Sequence, residues 1–263
     1  MPIITLTTDW GLRDHYLAAF KGELISAKTD IQLVDITHEI DHFDILQASF
    51  VIRNCYAKFP KGTLHYIGIA GSQTHSNKGN NRNFLVVKCN EHYFAGEDTG
   101  IFSLILGDAK KEIHLLPISD HPSLSEVHNL FLSVINSFVN GKPISEIGKP
   151  TDEIVQSYHT QPTVDQSMIR GGVIYIDSFD NIISNISEEL FNTVGKGRAF
   201  TIFLRKSEYD IHKINKNYFD ADGGEIVALF NREGFLKLSI NHGKASSLLG
   251  MKLMDTIRIE FAE

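Results

Sequence analysis

The sequence predicts an α/β protein: an N-terminal α/β domain with a largely parallel sheet, then a C-terminal β-barrel-like domain. Three observations carry this. Through the first half, short β-rich runs alternate with segments of helical periodicity. After about Pro150, strands dominate, separated by turns rich in Gly, Asn and Asp. With 263 residues, 42% hydrophobic and 22% charged, the chain can bury one large core or two ordinary ones.

The elements follow in order. Ile3–Thr7 reads as a strand, and Tyr16, Leu17, Phe20, Leu24 and Ile25 recur at helical spacing after it. Ile31–Ile36 is the next strand. A second helix carries Ile45, Leu46, Phe50, Val51 and Tyr56 and stops before Pro60-Lys61-Gly62. Leu64–Ile69 completes a βαβαβ rhythm, the pattern of a parallel sheet covered by helices. A polar loop spans 71–83. Phe84–Lys88, His92–Ala95 and Ile113–Leu116 read as strands and Ile101–Leu106 as a short helix. Leu124–Val139 is an amphipathic helix closed by Asn140-Gly141. The later strands are Val173–Ile176, Ala199–Leu204, Glu225–Phe230, Phe235–Ile240 and Thr256–Phe261. The domains are expected at 1–155 and 165–263, with no internal repeat.

Composition narrows the function classes. The formal net charge is −7 and no long Lys/Arg run is present, so no nucleic-acid partner is expected. Cys55 and Cys89 lie far apart in apolar stretches and read as buried thiols. No metal site is expected. Met1–Leu6 lacks a charged leader, and no apolar run approaches the ~18–20 residues that span a bilayer. No membrane partner is expected, and the expected compartment is the cytoplasm. The P-loop, GxSxG and GxGxxG patterns are missing from the sequence, which removes the main support for those folds.

Four segments hold candidate residues. Asp9 lies just past the first strand, at the edge where open α/β sheets bind ligands. A carboxylate there can accept both hydroxyls of a ribose diol. Asp9 or Asp14 could equally cap the next helix, a role that suits Asp14 better. Asp177, Phe179, Asp180 and Asn181 form either a tight Asx-type turn or a polar ligand cluster. Asn241 opens a strand-to-helix connection whose backbone amides could receive a carboxylate. Glu126 and His128 stand at the start of the long helix. Two positions apart, they share no helical face, and a solvated histidine is the simpler alternative.

Taken together, these segments resemble one family along most of the chain. The opening Leu6–Asp14 is similar to its LTTDxG-x-x-D pattern, and Lys21-Gly22 follows on the first helix. Val34–Ile40 matches V-x-I-T-H-x-I, and Phe59–Thr63 resembles FPxGT. Asp177–Ile186 resembles D-x-F-G-N-x-x-x-N-I, and Asn241–Gly250 resembles N-x-G-x-A followed by Leu-Gly. Each motif is weak alone; six in order are specific. The family is that of the S-adenosylmethionine hydrolases (hydroxide adenosyltransferases), relatives of fluorinase and chlorinase. The resemblance implies displacement at ribose C5′ by water, with no cofactor and S-adenosylmethionine as substrate or ligand. It also implies a homotrimer with an inter-subunit site. It assigns Asp9 to the ribose diol, Phe179 and Asn181 to the adenine and methionine portions with Asp177 beside them, and Asn241 to the C-terminal binding segment.

The chain departs from the family at the nucleophile. The family's VDPGVGT reads Gly68–Thr74, so its catalytic Asp becomes Ile69. Arg82 takes the place of the family's Arg after a longer loop, and Glu126 stands where its His is expected. Asp180 replaces a Gly, Thr99 replaces the Asn of PDNG, and Val127 disfavours a halide pocket. Two readings stay open. Arg82, Glu126 and His128 form a rearranged water-holding set, or the chain binds an adenosyl ligand without cleaving it.

Overall fold

Strict alternation along the first strands sets the layers of the first unit. The computed structural model describes residues 1–27, 30–70, 82–204 and 209–262. The chain divides into Met1–Tyr158 and His159–Glu263. The first unit holds β1 (Ile3–Thr8), β2 (Gln32–Thr37), β3 (Leu64–Gly68), β4 (Phe84–Cys89), β5 (His92–Glu97), β6 (Lys111–Leu115) and β7 (Lys149–Pro150). Their order is β2-β1-β3-β5-β4-β6-β7. β1 pairs in parallel with β2 and β3, and β3 in parallel with β5. β4 runs antiparallel to β5 and β6, so β6 rejoins the common direction and the sheet is largely parallel.

The helices are α1 (Tyr16–Ala27), α2 (Ile45–Cys55), α3 (Ile101–Leu106), α4 (Leu124–Val139) and α5 (Ile144–Ile147). On one face Ile4, Leu6, Tyr66 and Val86 pack with Leu17, Phe20 and Leu24 of α1 and Phe131, Val134 and Ile135 of α4. On the other, Ile67, Leu85, Val87 and Phe94 pack with Ala48 and Ile52 of α2 and Ile101, Phe102 and Ile105 of α3. Neighbouring strand residues thus serve opposite layers, as a period of two requires. The α1 stripe is narrower than the sequence suggests: Tyr16 and Ile25 are exposed, flanking the buried line of Leu17, Phe20 and Leu24.

The second unit is an antiparallel sheet with two short helices. It contains β8 (Thr163–Val164), β9 (Met168–Ile176), β10 (Ile182–Ser187), α6 (Glu188–Gly195), β11 (Phe200–Phe203), β12 (Ile226–Phe230), β13 (Phe235–Ile240), α7 (Ala245–Leu249) and β14 (Thr256–Phe261). The order is β11-β14-β9-β10-β13-β12, with β8 on β9. The first half of β9 pairs with β14 and the second with β10, so the sheet curls into a half-barrel. Gly171 lies at that change of partner. A Cβ there would stand 2.5 Å from both Asn185 Oδ1 and Ile186 Cγ1.

In the second unit β8, β10 and α6 lie beyond the sequence expectation, and β9 begins earlier than Val173. Polar residues mask β10, yet each has a backbone partner. Ser184 Oγ donates to Leu236 O at 3.2 Å, and Asn185 Oδ1 accepts from Gly172 N at 2.9 Å. Ser187 Oγ accepts from Leu190 N at 3.1 Å and caps α6.

A buried polar chain crosses β1, β3 and β5. Thr5 Oγ1 lies 2.7 Å from His65 Nδ1, and His65 Nε2 lies 3.2 Å from His92 Nδ1. Burial, and secondarily His92, pushes the His65 pKa down to about 3. A protonated imidazole has no place there. His65 is therefore neutral in the fold but gains a proton when unfolded below its ordinary value near 6.5. Its stabilising contribution is complete above that pH and is lost as pH falls toward about 3. Thermal melts from pH 7.5 to 4.5 are expected to show a falling Tm, at up to about 1.4 kcal/mol per pH unit. The fall is expected to be shallower in His65→Asn.

Candidate functional site

The chain leaves β1 through α1 to reach β2 on one side, then returns through α2 to β3 on the other. The carboxyl ends of β1 and β3 therefore flank a topological switch point, where open α/β sheets form a ligand crevice. Asp9 stands there, only 7% exposed. Its Oδ2 accepts from Phe43 N at 3.0 Å. Burial raises the Asp9 pKa, while the Phe43 amide and the nearby His42 pull it back. The surrounding backbone is firmly held. His38 O accepts from Gly11 N at 2.7 Å, and His38 Nδ1 lies 2.8 Å from Thr8 Oγ1. Trp10 packs edge-on against Phe20 and Tyr66, with ring centroids 5.4 and 6.1 Å apart. Phe43, whose amide binds Asp9, also lines a cleft of about 480 Å³ together with His42, Asp44, Leu46, Ser157 and Tyr158.

Sequence reading passes over His38 and Phe43, although His38 stands in the Ile-Thr-His stretch. It also passes over the HExxH spacing of His38-Glu39-Ile40-Asp41-His42. That pattern binds zinc when a helix puts both histidines on one face. Here it lies between β2 and α2 and is not helical. Among the described residues, no group of three or more His, Cys, Asp or Glu is placed to hold a metal ion.

The three candidates for holding water fall into separate networks. Arg82 clamps Glu97 with both arms, Nε to Oε1 at 2.8 Å and Nη2 to Oε2 at 2.6 Å, and lies over the Phe84 ring. Glu126 closes a capping box on α4: its Oε2 accepts from Ser123 N and Ser123 Oγ, both at 2.8 Å. His128 Nε2 lies 3.1 Å from Glu23 Oε2, and its ring meets the edge of Phe20. Asp14 sits in the exposed bend before α1, whose first backbone bond runs from Ala19 N to His15 O. His15, and not Asp14, therefore holds the cap position. Ile69 is 2% exposed and packs in the α2–α3 core layer. The rest of the stretch after Ala70, residues 71–81, lies outside the described residues.

In the second unit, the turn after β9 gathers Asp177, Phe179 and Asn181. Asp177 Oδ1 accepts from Phe179 N at 3.0 Å and Asn181 N at 2.9 Å, and Oδ2 accepts from Asn181 Nδ2 at 2.9 Å. The Asx-type turn and a polar cluster are thus one object. Phe179 stands at its tip, 77% exposed, with its ring available to a partner. Asp180 ties this turn to α7: its carbonyl accepts from Ser246 N at 2.9 Å and its Oδ2 from Ser247 N at 2.8 Å. Asp180 has φ +67°, a conformation easy for glycine. Its capping bond offsets that strain. Asn241 Nδ2 donates to Ala221 O at 2.9 Å, bracing the loop that leads into α7.

Comparison with known proteins agrees with this architecture. Residues 4–148 match the SAM hydroxide adenosyltransferase N-terminal domain, and residues 171–258 match the C-terminal domain. The chain is similar to an (R)-S-adenosyl-L-methionine hydrolase of Methanocaldococcus jannaschii, 29% identical over 98% of this chain and 96% of that one. It is also similar to a fluorinase of Nocardia brasiliensis, 21% identical over 98% and 97%. A solved structure of an uncharacterized conserved protein from Thermotoga maritima superposes with a TM-score of 0.83 at 26% identity, covering 98% of this chain and 99% of that one.

The local bonds have measurable consequences. Asp180→Ala loses the α7 cap and keeps the strained φ; it is expected to cost about 1–2 kcal/mol in chemical denaturation. Asp180→Asn keeps an acceptor and tolerates the conformation, so its cost is expected to be much smaller. Ser123→Ala is expected to cost about 1 kcal/mol through the α4 cap.

Proposed function

The chain belongs to the SAM hydroxide adenosyltransferase family, and from that premise we propose that it binds S-adenosylmethionine and cleaves it with water at ribose C5′. The products are adenosine and methionine. The observation that carries this reading is Asp9, a desolvated carboxylate fixed at the switch point of the sheet. Two oxygens on a rigid, poorly hydrated carboxylate suit the paired hydroxyls of a ribose. Phe43 and Tyr158 supply aromatic surface in the adjoining cleft.

The chemistry asks little of the protein in acid catalysis. The sulfonium sulfur leaves as a neutral thioether, so no proton need be delivered to it. What the chain must do is hold C5′ in line with water and keep competing water away. No cofactor takes part in this reading; S-adenosylmethionine is the substrate. The reading includes a homotrimer, which light scattering on the purified protein tests directly.

One observation favours a second reading. Ile69 is apolar and buried where the family resemblance expects the water-holding acid. A protein that binds the adenosyl group without turning it over follows from that exchange alone.

Incubation with S-adenosylmethionine, with adenosine and methionine followed by chromatography, separates the two readings. Asp9→Ala is expected to weaken adenosine binding by about 10- to 100-fold in calorimetry, the loss of one or two charged hydrogen bonds. Unchanged affinity would return Asp9 to a purely structural part in holding the Phe43 loop.

A further inference from the structure

Two buried polar atoms at the carboxyl edge of the first sheet have no partner among the described residues: Asp98 Oδ1 and Thr99 Oγ1. They belong to adjacent residues just past β5. Buried polar atoms without partners are rare in folded proteins, and each calls for an explanation such as a bound water, a ligand or a catalytic role.

Strand register places Asp98. Thr8 pairs with Gly68 across β1 and β3, and Ile67 pairs with Gly96 across β3 and β5. One residue beyond the first pair and two beyond the second, Asp9, Ile69 and Asp98 come level in a row. Neighbouring strands lie about 4.8 Å apart, so roughly 10 Å separates Asp9 from Asp98. A ribose and its C5′ substituent can bridge that span. The edge is held tight by Gly96, where a Cβ would stand 2.8 Å from Ile67 O.

The carboxylate is oriented for use. Its Oδ2 accepts from Val155 N at 2.9 Å and the Gly100 amide also bears on the carboxylate, while Oδ1 is buried with no hydrogen-bond partner among the described residues. The competing acids are committed: Glu97 to Arg82, Glu126 to the α4 cap.

We propose that Asp98 is the water-orienting carboxylate of this chain, supplied from β5 where β3 offers only Ile69. Through Oδ1 it holds the attacking water and takes its proton as the C5′–O bond forms. The C5′–S bond breaks, and its electron pair stays on sulfur, which leaves as the thioether of methionine. The proton then passes to solvent. Burial raises the Asp98 pKa to about 6, which suits a base working near neutrality. The Val155 and Gly100 amides oppose that rise, and the Glu97 charge, itself clamped by Arg82, adds to it. The proposal rests on the hydrolytic reading above.

The test uses the full chain and Asp98→Asn, which keeps an acceptor for Val155 N. The thermal shift on adding adenosine is expected to be unchanged, while turnover of S-adenosylmethionine falls at least about 100-fold. In the unaltered protein, kcat is expected to rise with pH through about 6, a readout that needs no variant should Asp98→Asn fail to fold. Full turnover by Asp98→Asn, or a kcat flat from pH 5 to 7, overturns the proposal. An unaltered protein that shifts with adenosine yet releases none from S-adenosylmethionine overturns it too, and leaves adenosyl binding standing. Neither shift nor turnover removes both.

Discussion

The parallel pairing of β1 with β2 on one side and β3 on the other is the constraint on which the first unit depends. It buries β1 on both faces and both edges, so the strand has no freedom to slip. The point where it stops is therefore fixed, and Asp9 is fixed with it. Loops after β1 and β2 then lock around that end through His38 and the Phe43 amide. Asp9 thus gains its fixed position from a ladder it takes no part in.

The charges at the sheet's carboxyl edge divide by how they are satisfied. Arg82 and Glu97 neutralise each other in a two-pronged pair. Asp9 and Asp98 are held only by backbone amides, and burial pushes both toward the protonated form. A carboxylate in that condition has not met its full demand for hydrogen bonds. What separates these groups is the partner, since all four sit along the same edge.

Much of the fold was legible in the sequence because its periodicities are clean. The βαβαβ opening and α4 follow from apolar spacing alone, and Asp9 follows from the end of a strand. Ser123 and Glu126 carry a capping-box spacing in the sequence, and that box is what engages Glu126 in the structure. Other features depend on neighbours far apart in the chain. The partner of Arg82 emerges only once β4 and β5 are paired, and the level of Asp98 with Ile69 only once β5 lies beside β3. β10 was masked by Ser184 and Asn185, whose partners sit on other strands. The bond from Asp180 to α7, which links residues far apart in sequence, likewise emerges only in the fold.

The shared strand β9 bears on how the second unit comes to be. Its first half is zipped to β14, whose Ile257 pairs with Gly171, and its second half to β10, which follows directly. The hairpin with β10 closes a short loop and can form early. The pairing with β14 must wait for a segment more distant in sequence, and such remote contacts slow the assembly of a sheet. Until that strand arrives, β9 presents an unpaired apolar edge carrying Ile169. The interval before closure is thus the time at which a nascent second unit is most open to wrong pairing with another chain.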